Sequence, residues 1–273
     1  MSGVLSVRVL GVGILGPGLT GWAQAAACIA EPQAWGSAPT MLPVPGRLPA
    51  AERRRAGSLV KLSLGVADQA LEMAAAGGHV VDVAGLATVF TSSSGDTLNC
   101  HAMCEALATP ERAVSPTRFT NSVHNATAGY WHIATASRAA STSLCGFDAS
   151  LAAGLLEAAA QVAFTAEAVL LVGSDIPYPP SLQPQRPMPD AFGVALLLAP
   201  VGTGGPSTAT LHIASATPGE SITSCAASDL EALRRGIPAA GVLPLIEAMA
   251  LRRGARVVLE GLGTHRLAVD VSA

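Results

Sequence analysis

Nine residues, Ser141 to Ala149, constrain this chain more than any other stretch; they read S-T-S-L-C-G-F-D-A. A short β-branched and polar run, Ala139–Leu144, meets a glycine at Gly146, and a long alanine- and leucine-rich helix is predicted to open at Phe147. A strand that turns this sharply into a helix holds a side chain out near the positive end of the helix dipole. Enzymes keep nucleophiles at such turns. The side chains here that could attack a substrate are Ser143 and Cys145.

At 273 residues the chain can bury a full core, as one large domain or as two fused halves. Half of its residues are apolar and only 13% are charged. That balance means either a large alanine-rich core or apolar surface buried against another chain. A net charge of −3 supplies no basic field for nucleic acid or an anionic membrane. Aromatic residues, at 4%, are too few for base-stacking surfaces. Residues 9–30 carry no formal charge, but Gly13, Gly16, Pro17, Gly18 and Gly21 break the segment, so no membrane span is expected there. A charged start and an unbroken apolar core are also missing, and a cytoplasmic location is the expectation. The five cysteines are Cys28, Cys100, Cys104, Cys145 and Cys225, an odd and irregular set that suggests no disulfide framework. Cys100 and Cys104 lie one helical turn apart without a second ligand pair, so no metal is expected.

Patterning predicts a strand over Val4–Val12, a loop over Gly11–Gly18 and a helix over Leu19–Ile29. A proline-rich loop over residues 31–50 follows. Arg53-Arg54-Arg55 opens a helix to about Ala76, with Leu59, Leu62, Val66, Ala70 and Met73 on one face. A strand over Ala84–Thr91 ends in Ser92-Ser93-Ser94-Gly95, and Asp96 caps a helix to about Ala108. Asn121–Ser137 is predicted helical. Ala168–Val172 reads as a buried strand, and six prolines mark Ile176–Pro189 as a loop or seam. Strands over Gly193–Leu198 and Ala209–Ala216 come next, then helices over Ser228–Arg235 and Ala239–Arg253. Two strands, Arg256–Leu262 and Arg266–Val271, close the chain. The alternation predicts α/β layers around a mixed sheet.

Two motifs compete for function. Gly11, Gly13 and Gly16 match a dinucleotide-binding fingerprint, with Glu31 at about the expected distance. Pro17 removes an amide that should cradle a pyrophosphate, and Glu31 runs into Pro32 and a loop, so no cofactor is expected. Ser143 lacks the flanking glycines of a hydrolase elbow. His124 is the candidate base, while His79, His132, His212 and His265 show no partner pattern.

Several segments, in order, resemble the β-ketoacyl synthase family of thiolase-fold condensing enzymes. Arg53–Arg55 is similar to the family's basic helix start, and Thr91–Gly95 to its glycine turn. Val123-His124-Asn125-Ala126-x-Ala128-Gly129 is similar to its V-N-x-x-A-G helix, and Ser141–Gly146 to T-A-C-S-S-G. Ala166–Asp175, Asp190-Ala191-Phe192-Gly193 and Ala239-Ala240-Gly241 resemble its later strand, hairpin and helix motifs. The resemblance implies a thiolase-like layered α-β-α-β-α fold. It divides the chain into an N-terminal half, residues 1–189, and a shortened C-terminal half, residues 190–273.

The departures carry as much information. Aligned on Gly146, the family's catalytic cysteine falls on Ser143. One family histidine belongs to an H-G-T-G-T loop that this chain lacks, and the other position holds Arg235. Decarboxylative condensation needs a thiolate to hold the acyl chain and donors to stabilise an enolate. The resemblance therefore narrows to chain-length-factor-like partners, which keep the fold without the nucleophile and accompany aryl-polyene clusters. It implies a heterodimer with an active synthase, an acyl carrier protein and an acyl or polyene chain as partners. It also implies a tunnel or interface surface at Leu98, His101, Glu105, Asn125, Thr142 and Phe147. The rivals are a small acyltransferase or thioesterase using Ser143 or Cys145 with His124, and a homodimeric acyl-binding protein.

Overall fold

Strand β4, Val169–Asp175, is buried at every position, as its continuous apolar run requires of a strand covered on both faces. The computed structural model describes residues 3–31 and 35–272. The other strands are β1 Leu5–Leu15, β2 Ala87–Thr91, β3 Ser141–Leu144, β5 Phe192–Pro200, β6 Ala209–Ser215, β7 Ala255–Glu260 and β8 Arg266–Ser272. They form one mixed sheet in the order β3-β2-β4-β5-β1-β6-β8-β7. β2 runs parallel to β3 and β4, and the remaining pairs are antiparallel.

That order contains an internal repeat. Outward from the centre, β1-β5-β4 on one side matches β6-β8-β7 on the other. In both triplets the middle strand is antiparallel to its neighbours. The first strands of the two triplets, β1 and β6, pair antiparallel at the boundary. β2 and β3 extend the first half alone. By topology β5 belongs with the first half, so the repeat divides between Pro200 and Ala209.

Helices layer the sheet. They are α1 Trp22–Ala30, α2 Ala50–Arg55, α3 Ser58–Ala76, α4 Thr97–Ala108, α5 Pro116–Thr120, α6 Ala126–Thr135, α7 Ser150–Thr165, α8 Ser228–Gly236 and α9 Leu243–Ala250. One core spans both half-sheets, joining Leu155 and Val162 of α7 and Leu245 and Ile246 of α9 with Leu171 of β4 and Val269 of β8. The second core lies across the N-terminal half, where α3 and α6 bury Leu62, Val66 and Trp131 against Leu170 and Leu197. The layering is that of a thiolase-like fold, as expected. Phe147–Thr165, the one stretch among the described residues long and apolar enough to cross a membrane, contains the α7 core helix and is half buried.

Several expected elements shift, each for a local reason. β1 does not end in a loop at Gly11 but continues to Leu15. A Cβ on Gly11 would lie 2.0 Å from the Ala70 carbonyl oxygen, and one on Gly13 1.9 Å from that of Val66. These glycines let α3 pack directly on the strand, so the fingerprint spacing reports helix–strand packing. The long helix expected from Arg53 is broken at Ala56, and the three arginines close α2, where positive charge suits the carbonyl end. The Asn121–Ser137 helix shortens to Ala126–Thr135, preceded by the brief α5. The last predicted helix splits into a 3-10 turn, Pro238–Val242, and α9. His265 lies in the turn between β7 and β8. The loop expected over 31–50 includes residues 32–34, which lie outside those described.

Candidate functional site

β3 is the edge strand of the sheet, and Leu144 ends it one residue before Cys145. The helix expected from Phe147 starts instead at Ser150. Between them the backbone turns through Phe147, whose φ of 54° lies in the left-handed region. A side chain there carries strain that only surrounding structure can hold. Ser150 supplies part of that hold. Its hydroxyl donates to the Phe147 carbonyl at 2.6 Å and accepts from the Gly146 amide at 2.9 Å.

The serine turn after β2 supports the elbow from below. Cys145 Sγ donates to the Ser93 carbonyl at 3.1 Å, and Ser150 Oγ lies 3.1 Å from the Ser92 carbonyl. Asp175, at the end of β4, ties this turn down. It accepts from the Ser93 amide at 2.7 Å, the Ser92 hydroxyl at 3.1 Å and the Ala239 amide at 2.8 Å. One buried carboxylate thus joins the β2 turn to the 3-10 turn of the C-terminal half. Burial pushes its pKa up, and the hydrogen bonds to Ser93, Ser92 and Ala239 pull the other way. Tyr178 OH donates to Ser94 at 2.8 Å and brings the proline-rich loop to the same turn.

The elbow position itself is filled. Phe147 is exposed to solvent on one side, and the Arg186 guanidinium lies over its ring, 3.7 Å from the centroid. The same guanidinium pairs with Asp148 and lies 5.5 Å from the Tyr178 ring centroid. An aromatic ring capped by a cation cannot attack a carbonyl. Ser143 sits inside β3, opposite Phe90 of β2, three residues short of Gly146 and four short of the left-handed position. Cys145 is exposed, with its thiol on the Ser93 carbonyl. His124 is exposed in the turn before α6, and among the described residues no hydrogen bond joins it to Ser143 or Cys145.

The proposed tunnel residues fall on two surfaces. Leu98, His101 and Glu105 share α4, whose only buried residue is Asn99. His101 Nε2 lies 3.3 Å from Glu105 Oε1, and its Nδ1 lies 3.5 Å from Ser181 Oγ. Asp96 caps this helix through the Asn99 amide, and burial raises its pKa. Asn125, exposed, stands at the start of α6. Thr142 Oγ1 accepts from Gln161 of α7 at 3.1 Å.

The open side of β3 can be read from its partners. The carbonyls of Ala140 and Leu144 accept from Thr88 and Ser92, so the backbones of Ser141 and Ser143 face away from β2. α6 and α7 both contact β3, and they leave Ile133 and Leu156 exposed. Among the described residues no three His, Cys, Asp or Glu side chains converge as a metal site.

Sequence reasoning missed Asp175, Arg186 and the bonding role of Ser92–Ser94. The signals were present but weak: an aspartate ending an apolar strand, and one arginine amid six prolines.

Residues 22–237 match the family described as Beta-ketoacyl synthase, N-terminal domain. No curated protein matches the sequence. Among solved structures, the chain is similar to one described as a ketosynthase (ApeO) in complex with its chain length factor (ApeC) from Xenorhabdus doucetiae. The TM-score is 0.71 at 22% identity, over 97% of this chain and 99% of that one. It is similar to the ishigamide ketosynthase/chain length factor, with TM-score 0.74 and 14% identity over 98% and 99% of the two chains. It also resembles a structure in which a type II polyketide synthase acyl carrier protein (AntF) is complexed with its ketosynthase (AntDE), with TM-score 0.79, 12% identity and complete coverage of both chains. These likenesses establish the fold. Because the family match spans most of the sequence, the chain belongs to the β-ketoacyl synthase family, through its N-terminal domain.

Proposed function

We propose that this chain is a catalytically silent, chain-length-factor-like subunit that pairs with an active β-ketoacyl synthase. The observation that carries the reading is the elbow. The left-handed turn between β3 and α7 is taken by Phe147 under the Arg186 guanidinium, and Ser143, at the position that the resemblance assigns to the catalytic cysteine, lies back inside β3. Arg235 occupies the position that the resemblance assigns to a catalytic histidine. Phe147 and Arg235 cannot form an acyl thioester or ester, and Ser143 has no matched base among the described residues.

The free edge of β3 supports pairing. Its outward backbone groups and the exposed Ile133 and Leu156 suit a second sheet edge bearing apolar neighbours. In this reading the partner is a synthase of the same fold, and the sheet continues through the dimer. The acyl carrier protein delivers the growing chain to the synthase, and α4 bounds the far end of its tunnel. Aryl polyene synthesis in the cytoplasm is the setting that the family resemblance favours.

Co-expression with a full-length β-ketoacyl synthase from the same source tests the pairing. The expected result is a stable one-to-one complex by light scattering. Ser143→Pro removes an outward amide from an edge strand, where proline is tolerated, and should abolish the complex while the chain stays folded. A stable monomer that ignores the synthase would overturn the reading.

A further inference from the structure

We propose that a cavity beneath the elbow binds a small organic carboxylate through Arg235. The cavity has a volume of about 330 Å³, at the small end of ligand sites. It lies where the first turn of α7, the proline-rich loop, the end of α8 and the 3-10 turn meet. Leu151, Met188, Ile222, Pro238 and Leu259 give it apolar walls.

Its charged groups decide what it can hold. Three arginines line it, Arg186, Arg234 and Arg235, against two carboxylates, Asp148 and Glu260. Arg186 is paired with Asp148, yet its Nε is buried without a hydrogen-bond partner. Arg234 is held through two nitrogens by Glu231, at 2.6 and 2.7 Å. Arg235 makes no ion pair among the described residues. The cavity therefore contains an uncommitted guanidinium, an unmet buried donor and one exposed carboxylate without an ion pair among the described residues, Glu260, beside apolar walls. A guanidinium fork matches the two oxygens of a carboxylate. The walls suit a short hydrocarbon tail. This site does not depend on the silent-subunit reading: its occupancy can be measured whether or not the chain condenses acyl units or binds a synthase.

Calorimetric titration of the purified chain with octanoate tests it, with octan-1-ol and inorganic phosphate as parallel probes. Octanoate should bind saturably, octanol at least tenfold more weakly, and phosphate without saturation over the same range. Arg235→Gln changes an exposed side chain with no ion pair, so the fold should survive. It should weaken octanoate at least tenfold and leave octanol unchanged. Gly241→Leu adds a side chain to the lining where a Cβ meets nothing within 4 Å, and should weaken octanoate by filling the space. Absence of octanoate binding, equal binding of octanol, phosphate binding as tight as octanoate, or wild-type affinity in either variant would each overturn the proposal.

Discussion

The Arg186 guanidinium lies 3.7 Å from the centroid of the Phe147 ring and also pairs with Asp148, one residue on. The contact joins the proline-rich loop to the strand–helix elbow, so it positions two segments that share no secondary structure. Arg186→Ala should lower unfolding stability by about 1 kcal/mol, the scale of a partly buried cation–π contact with a half-exposed ion pair. Arg186→Lys should recover only part of this, because an ammonium cannot stack as a plane. Denaturant melts of Arg186→Ala, Phe147→Ala and the double variant check it. A double variant as unstable as the sum of the singles would contradict the coupling.

Phe147 itself should respond to backbone conformation. Its φ of 54° penalises any residue with a Cβ. Phe147→Gly should therefore be more stable than Phe147→Ala by about 1 kcal/mol, although both lose the ring. Thermal unfolding of the two variants measures the difference. Equal stability would mean that the elbow relaxes out of the left-handed region.

Asp175 should leave a signature in the pH dependence of stability. Its folded pKa is raised above the ordinary value of 3.8, chiefly by burial. The native state then binds the proton more tightly than the unfolded chain. The associated stability is fully present below that ordinary value and is lost as pH rises through the folded pKa. Asp175→Asn removes this dependence and turns an amide NH₂ toward one of the amide donors of Ser93 and Ala239. It should cost about 1–3 kcal/mol. Urea melts at constant ionic strength should show the gap between wild type and variant narrowing as pH rises from the acid side. A widening gap would contradict the assignment.

The fold was largely legible because its strands and helices carry strong periodic or continuous apolar patterns. β4 stands where its apolar run predicts, and of the face predicted for α7 Leu151, Leu155, Ala158 and Val162 are buried while Phe147 lies exposed before the helix. What escaped were features without a period. Gly11 and Gly13 look alike in a phosphate loop and in a strand under a helix, and only the position of α3 distinguishes the two. The left-handed turn at Phe147 escaped because such backbone geometry leaves no mark on a phenylalanine. Arg186 escaped because its ring partners are 39 and 8 residues away and converge only once the loop folds back.

His101 tests the chain-length role. It lies on the largely exposed α4, held by Glu105 and facing Ser181 across to the proline-rich loop. If α4 bounds the synthase's acyl tunnel, His101→Ala opens space and the reconstituted pair should make longer products. His101→Trp should shorten them, with the first condensation little changed. Mass spectrometry of the product ladder reads both, and identical ladders from an intact complex would move the length-setting surface elsewhere.

The central claim is that this subunit contributes shape and binding rather than a nucleophile. Its most direct test is turnover of acyl- and malonyl-carrier protein by the reconstituted pair carrying Ser143→Ala and Cys145→Ala in this chain. The account predicts condensation at the wild-type rate by that pair, and none by the wild-type chain alone. Turnover by the chain alone that disappears in Cys145→Ala, or loss of turnover in the doubly substituted pair while the complex stays intact, would contradict it.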